Sequence, residues 1–139
     1  MRIAKISILI VALAIALSAT LALAQKDQGQ RQYDLATETT VTGTVEEVKK
    51  VAGQRGGPGG THLMIKNAQG PLEVHLGPTS YLEKQQFTFA KGDQVEVIGS
   101  KVKIENVDVV IAREVKKGGK TLTLRDTQGV PVWSKRQRP

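Results

Sequence analysis

The sequence predicts an all-β fold: one small closed barrel of five or six strands, with a single short helix between the third and fourth. Three observations predict it. Valine, leucine, isoleucine and threonine recur in short alternating runs bounded by glycine-containing turns, the pattern of strands with one face in a core. A helix start signal occurs once, near Ser80. The runs follow one another as three strands, one helix, then two or three strands. Of the 139 residues the first 24 read as an export signal, so roughly 115 remain, enough for one core and too few for two globular domains.

The N-terminus is an address label. Met1-Arg2-Ile3-Ala4-Lys5 is a positive start, an apolar run extends from Ile6 to Leu23, and Ala22-Leu23-Ala24 supplies the small–x–small cleavage pattern. Residues 1–24 are therefore expected to be a signal peptide and the mature chain to be exported, with the periplasm as the favoured destination and secretion as an alternative. The run is also just long enough to span a bilayer, and an uncleaved anchor is the competing reading and the only membrane contact foreseen. No cysteine follows the site, which excludes a lipoprotein. Residues 25–38 are polar without apolar periodicity and read as a disordered leader. The barrel domain is expected over 39–133, and residues 134–139 read as a loose basic tail.

The first strand is Thr39 to Val51. Val41, Val45 and Val51 share one parity and Val48 the other, so the strand is expected to be bent by a bulge near Gly43. Residues 52–60, with five glycines and one proline, read as a loop. Thr61–Leu76 is a hairpin: Leu63 and Ile65 alternate with His62 and Met64, and Leu72, Val74 and Leu76 with Glu73 and His75. A loop over Asn67-Ala68-Gln69-Gly70 sets Ile65 opposite Leu72 and Leu63 opposite Val74. Ser80 and Glu83 have capping-box spacing for the helix. Lys91-Gly92-Asp93 is a turn before a strand over Gln94–Ile104, kinked near Gly99; Glu105-Asn106 turns into Val107–Val115. Lys116-Lys117-Gly118-Gly119 turns again into Lys120–Asp126, and Thr127-Gln128-Gly129 precedes Val130–Trp133. A long bulged first strand and a helix between strands three and four are the marks of the oligonucleotide/oligosaccharide-binding (OB) barrel.

Composition narrows the function. Zero cysteines exclude disulfides, thiolate metal sites, haem attachment and a cysteine nucleophile. The formal charge of +7 falls to +5 once Arg2 and Lys5 leave with the signal. Basic residues gather at Lys101 and Lys103, at Lys116, Lys117 and Lys120, and in the tail at Lys135, Arg136 and Arg138; Arg55 sits in the glycine-rich loop. Together they could form a patch for an anionic polymer or a partner. Two tyrosines, two phenylalanines and one tryptophan are too few for base stacking, so nucleic acid is disfavoured as a partner. The loop lacks the Gly-Lys-Ser/Thr ending of a phosphate-binding loop. Ser80, Ser100 and Ser134 lie in no nucleophile motif, and two histidines on one hairpin supply no nucleophile–base–orienter chain, so the chain does not read as an enzyme.

The hairpin register carries the most specific candidate. His62 and His75 fall opposite each other on the face away from the core, with Met64 and Glu73 as the neighbouring pair. Opposed β-carbons lie roughly 4.5–5.5 Å apart, close enough for two imidazoles to share an ion. Neutral imidazole suits Zn²⁺, Cu²⁺ or Ni²⁺, a carboxylate could complete the set, and a thioether would favour Cu⁺. The alternative is an ordinary surface pair that titrates near neutrality. Arg113 and Asp126 are expected to pair across adjacent strands, with Trp133 closing one end of the barrel.

From Val74 onward the wording is also familiar. Val74-His75-Leu76-Gly77-Pro78, Lys91-Gly92-Asp93, Val97-Ile98-Gly99-Ser100, Ile111-Ala112-Arg113-Glu114-Val115 and Gly118-Gly119-Lys120-Thr121-Leu122 occur in that order, followed by Leu124-Arg125-Asp126 and Gly129-Val130-Pro131-Val132-Trp133. The string resembles the C-terminal domain of the magnetosome MamS/MamX proteins, over Thr39 to Trp133. The resemblance implies an accessory role in iron-mineral maturation where the host forms magnetosomes, and makes the magnetosome a further alternative destination. Haem-bearing relatives carry Cys-x-x-Cys-His motifs, and a chain without cysteine cannot attach haem that way. The expectation is thus a non-enzymatic, exported binding or accessory module of the cell envelope, whose partner is another envelope protein or assembly. The alternatives are a metal-binding module and a binder of anionic polymer.

Overall fold

The computed structural model describes residues 33–53 and 59–134. The signal peptide, leader residues 25–32, Arg55 and the tail residues Lys135, Arg136 and Arg138 lie outside the described residues. Six strands follow a single 3₁₀ turn at Leu35–Thr37: β1 (Glu38–Val51), β2 (Gly60–Asn67), β3 (Gly70–Pro78), β4 (Gln94–Ile104), β5 (Val107–Lys117) and β6 (Lys120–Thr123). One helix, α1 (Thr79–Lys84), separates β3 from β4. The sheet runs β3-β2-β1-β4-β5-β6 and closes on itself through parallel pairing of β3 with β5. The result is a closed five-stranded OB-type barrel, with β6 as an extra strand beside β5.

Closure depends on β1, which pairs with β4 over Glu38–Thr44 and with β2 over Thr44–Val51. At the handover a β-carbon on Gly43 would stand 2.8 Å from the Lys66 carbonyl oxygen, so only glycine lets the strands approach. The expected bulge is Glu46: Val45 pairs with Ile65 and Glu47 with Met64, leaving Glu46 unmatched. That extra residue turns both Val45 and Val48 toward the core despite their opposite parity, while Val51 stays exposed. A second bulge falls on β5, where Ile98 pairs with Glu114 and Gly99 with Ala112, leaving Arg113 unmatched. Val110 and Ala112 before it and Val115 after it then all reach the core.

The hairpin has the register expected from its alternation: His62 with His75, Leu63 with Val74, Met64 with Glu73 and Ile65 with Leu72. Leu63, Ile65 and Val74 are fully buried, each stabilising by roughly 1.5–3 kcal/mol. The loop is tighter than expected, because Asn67 and Gly70 pair as the last rung and Gln69 donates its N–H to Asn67 Oδ1.

Several local expectations are corrected. The Ser80–Glu83 capping box does not form: the helix starts at Thr79 with Pro78 as its cap, placing Ser80 inside it. The Thr79 N–H is satisfied instead by the Gly59 carbonyl. Lys116 and Lys117 belong to β5 and Lys120 to β6, because Gly118 and Gly119 both adopt positive φ and make the turn by themselves. Residues 33–38, read as part of the leader, are ordered. The Asp34 N–H donates to Ser100 Oγ, Thr37 Oγ1 bonds the same hydroxyl, and Tyr33 donates its hydroxyl to Glu38 Oε2.

Arg113 does not meet Asp126. Its Nη2 lies 2.6 Å and its Nε 3.1 Å from Glu38 Oε1, while Asp126 accepts the N–H groups of Gln128 and Val130. The bulge explains this: the unmatched Arg113 is re-aimed toward the start of β1, and its carbonyl accepts from Leu124 and Arg125. Trp133 packs against Gly77 and lies 5.5 Å from the Tyr81 ring of α1. The Arg125 guanidinium sits between Trp133 and Tyr33, at 5.7 and 5.4 Å from their rings.

Candidate metal centre

The outward face of β2 and β3 brings together the chain's only two histidines. They are held by the inward set: with Leu63, Ile65 and Val74 in the core, His62, Met64, Glu73 and His75 must point the other way. Glu73 and His75 share a face because they are two residues apart on one strand. His62 Nδ1 lies 3.1 Å and His75 Nε2 2.9 Å from a single oxygen, Glu73 Oε1. The two imidazoles stack, with centroids 3.7 Å apart and planes inclined by 13°. An ionised carboxylate only accepts, so both of these ring nitrogens carry hydrogens toward Glu73 when no ion is bound.

The surroundings decide the protonation. His62 is about one-fifth exposed, and burial, then the charge of His75, holds its pKa below the ordinary imidazole value. Lys49, opposite His62 on β1, pushes in the same direction. Burial works against the charge on Glu73, but the hydrogen bonds and charges of His75, then of His62, outweigh it and hold the carboxyl below its ordinary range. The site therefore rests as a carboxylate beside a neutral His62. Neutral imidazole and carboxylate are the forms that ligate metals.

The donor atoms of His62, Glu73 and His75 all lie within 4.8 Å of one another. An ion with metal–donor distances near 2.0–2.2 Å in tetrahedral geometry needs donors roughly 3.3 Å apart. The two oxygen–nitrogen edges nearly meet that already. To ligate through these nitrogens both rings must give up the hydrogens they donate to Glu73, and the stacked rings must tilt open to converge on one ion. Met64 shares the face, directly across from Glu73. Val109 and Ile111 of β5 stand beside Glu73 and His75 in the parallel pairing, and both are buried. Lys49 was not readable as a neighbour of His62, because the Glu46 bulge decides which face it joins.

The basic residues do not come together. Lys101 and Lys103 lie near the β4–β5 turn, and Lys116, Lys117 and Lys120 near the β5–β6 turn. The 11 residues of β5 between these turns span about 33 Å. Three of the five are matched by acids: Lys103 with Asp108 at 3.8 Å, Lys116 with Glu96 at 3.7 Å and Lys117 with Asp93 at 3.3 Å. Lys117 also donates to the Thr88 carbonyl and lies over the Phe87 and Phe89 rings. Lys101 lines an open groove of about 800 Å³ between the start of β1 and the β2–β3 turn, which includes none of the three donors.

The model of the MamS/MamX magnetosome protein family matches residues 37–122, which is most of the described barrel. The chain belongs to the MamS/MamX magnetosome protein family. The matched span contains β1 through β5 and with them all three donors and Met64. No curated protein matches the chain. Family membership makes this a magnetosome-related domain and agrees with the resemblance read from the motifs between Val74 and Trp133.

Proposed function

We propose that this MamS/MamX-family chain is an exported, non-enzymatic accessory module of the cell envelope that binds one divalent transition-metal ion through His62, Glu73 and His75. One observation carries the reading: a single carboxylate oxygen lies within 3.1 Å of one imidazole nitrogen and 2.9 Å of another. Export is supported by the positive start, apolar run and Ala22-Leu23-Ala24 pattern. The non-enzymatic reading is supported by the absence of cysteine and by Ser100, whose hydroxyl is buried and engaged with Asp34 and Thr37. In a magnetosome-forming host such a module would accompany iron-mineral maturation, exchanging its ion with another envelope protein. The binding of an anionic polymer is less well supported, since the lysines are separated and largely paired with acids.

The test is a titration of the chain with Zn²⁺, Cu²⁺ and Fe²⁺, followed by NMR of the imidazole and backbone signals. Shifts confined to His62, Glu73, His75 and their strand neighbours at micromolar metal, lost in His62→Ala/His75→Ala, are the expected result. Equal uptake by the parent and the double variant would refute the reading.

A further inference from the structure

The chain has two methionines and no cysteine, and Met1 belongs to the signal peptide read over residues 1–24, so Met64 is the single sulfur of the exported chain. It stands on the same four-residue patch as the only two histidines: His62 faces His75 and Met64 faces Glu73. On β2 the inward set is Thr61, Leu63 and Ile65, all buried, which fixes His62 and Met64 on the outward face. Directly opposed β-carbons lie about 4.5–5.5 Å apart and diagonal ones about 7–8 Å, within reach of a long side chain. Met64 is opposite one donor, diagonal to His75 and two residues from His62. Its three rotatable bonds let the sulfur move without disturbing the core.

We propose that Met64 is the fourth donor of this site and makes it a copper centre, one that holds Cu⁺ as well as Cu²⁺. The proposal rests on the metal reading above and adds the identity of the ion. Imidazole serves zinc, copper, nickel and iron alike, and a carboxylate favours harder ions, so the three donors of the triad do not select among them. A thioether contributes little to Zn²⁺ or Fe²⁺ and substantially to Cu⁺. Placed beside two imidazoles, it supplies the soft donor that the absent cysteines cannot. Glu73 neutralises a monovalent ion fully and a divalent ion in part, so both oxidation states fit the local charge. The inference concerns binding only: each ion is taken up in the oxidation state in which it arrives.

The experiment compares the chain with Met64→Leu, a swap of similar volume, after backbone NMR has shown the variant folded. Cu⁺ affinity is measured anaerobically by competition with a chromophoric chelator, and Cu²⁺ and Zn²⁺ affinities by direct titration. The expected result is a Cu⁺ affinity at least tenfold weaker in Met64→Leu, with Cu²⁺ and Zn²⁺ changed less than threefold. X-ray absorption of the Cu⁺ form should show one sulfur neighbour, lost in the variant. A variant that keeps Cu⁺ affinity within threefold, or weakens all three ions alike, overturns the role of Met64 while leaving the metal site standing. A parent chain that takes up none of the three ions, nor Fe²⁺, overturns both proposals.

Discussion

Glu73 decides how the two histidines behave. One of its oxygens ties both rings, and its charge partly offsets the burial that disfavours a proton on His62. The folded-state pKa values of His62 and Glu73 both lie below their ordinary values. The unfolded chain thus binds more protons, and stability rises with pH. The His62 contribution is complete above the unfolded imidazole pKa of about 6.5 and is lost as pH falls through the depressed folded value. The Glu73 contribution is complete above about 4.3 and is lost at still lower pH. We therefore expect the urea midpoint to fall as pH is lowered from neutrality toward 5 and the slope to flatten in His62→Gln. A slope unchanged in that variant would show that His62 is not the titrating group.

Elements meet through glycines and bulges rather than through regular strands. A β-carbon on Gly99 would collide with the Ile111 carbonyl, beside the Arg113 bulge, and one on Gly43 would crowd the Lys66 carbonyl. Backbone cannot yield as a flexible side chain can. Gly99→Ala and Gly43→Ala are each expected to cost about 1–3 kcal/mol in chemical denaturation. A β-carbon on Gly70 would meet nothing within 4 Å, and substitution there is opposed only by its φ of +110°, so Gly70→Ala should cost about 1 kcal/mol. If all three variants lost the same stability, close strand approach would not be what the first two positions require.

At the scale of the molecule, the segment before β1 is fastened to the barrel wall by groups far apart in sequence. Glu38 accepts from both Arg113 and Tyr33, and burial, then the Glu38 carboxylate, pushes the Tyr33 hydroxyl pKa up to about 12. Glu38→Ala should release Tyr33–Thr37, cost about 2 kcal/mol and speed proteolytic cleavage there, with barrel amides unchanged by NMR. Unaltered cleavage would mean that Ser100 alone holds the segment. The charge layout leads to a further expectation. With Lys101 and Lys103 at one end of β5 and Lys116, Lys117 and Lys120 at the other, the chain should show no saturable oligonucleotide binding at about 0.15 M salt. A steep salt dependence of such binding would contradict this.

The alternation of Leu63, Ile65, Leu72 and Val74 together with the Asn67–Gly70 loop determined the hairpin register and so put His62 opposite His75 and Met64 opposite Glu73. A period of two fixes which residues face inward, and the short loop fixes which of them stand opposite each other. The order of strands and helix, which other small closed barrels can share, pointed to an OB-type barrel, and the β3–β5 pairing closed it. Tertiary structure decided what local pattern could not carry. The extra residues at Glu46 and Arg113 depend on how neighbouring strands bend, so Lys49 joined the histidine face and Arg113 turned to Glu38 instead of Asp126. Capping-box spacing at Ser80 was overruled because the Thr79 N–H found the carbonyl of Gly59, the residue before β2. The single oxygen shared by two rings is a matter of side-chain rotamers and burial, which only the packed barrel sets.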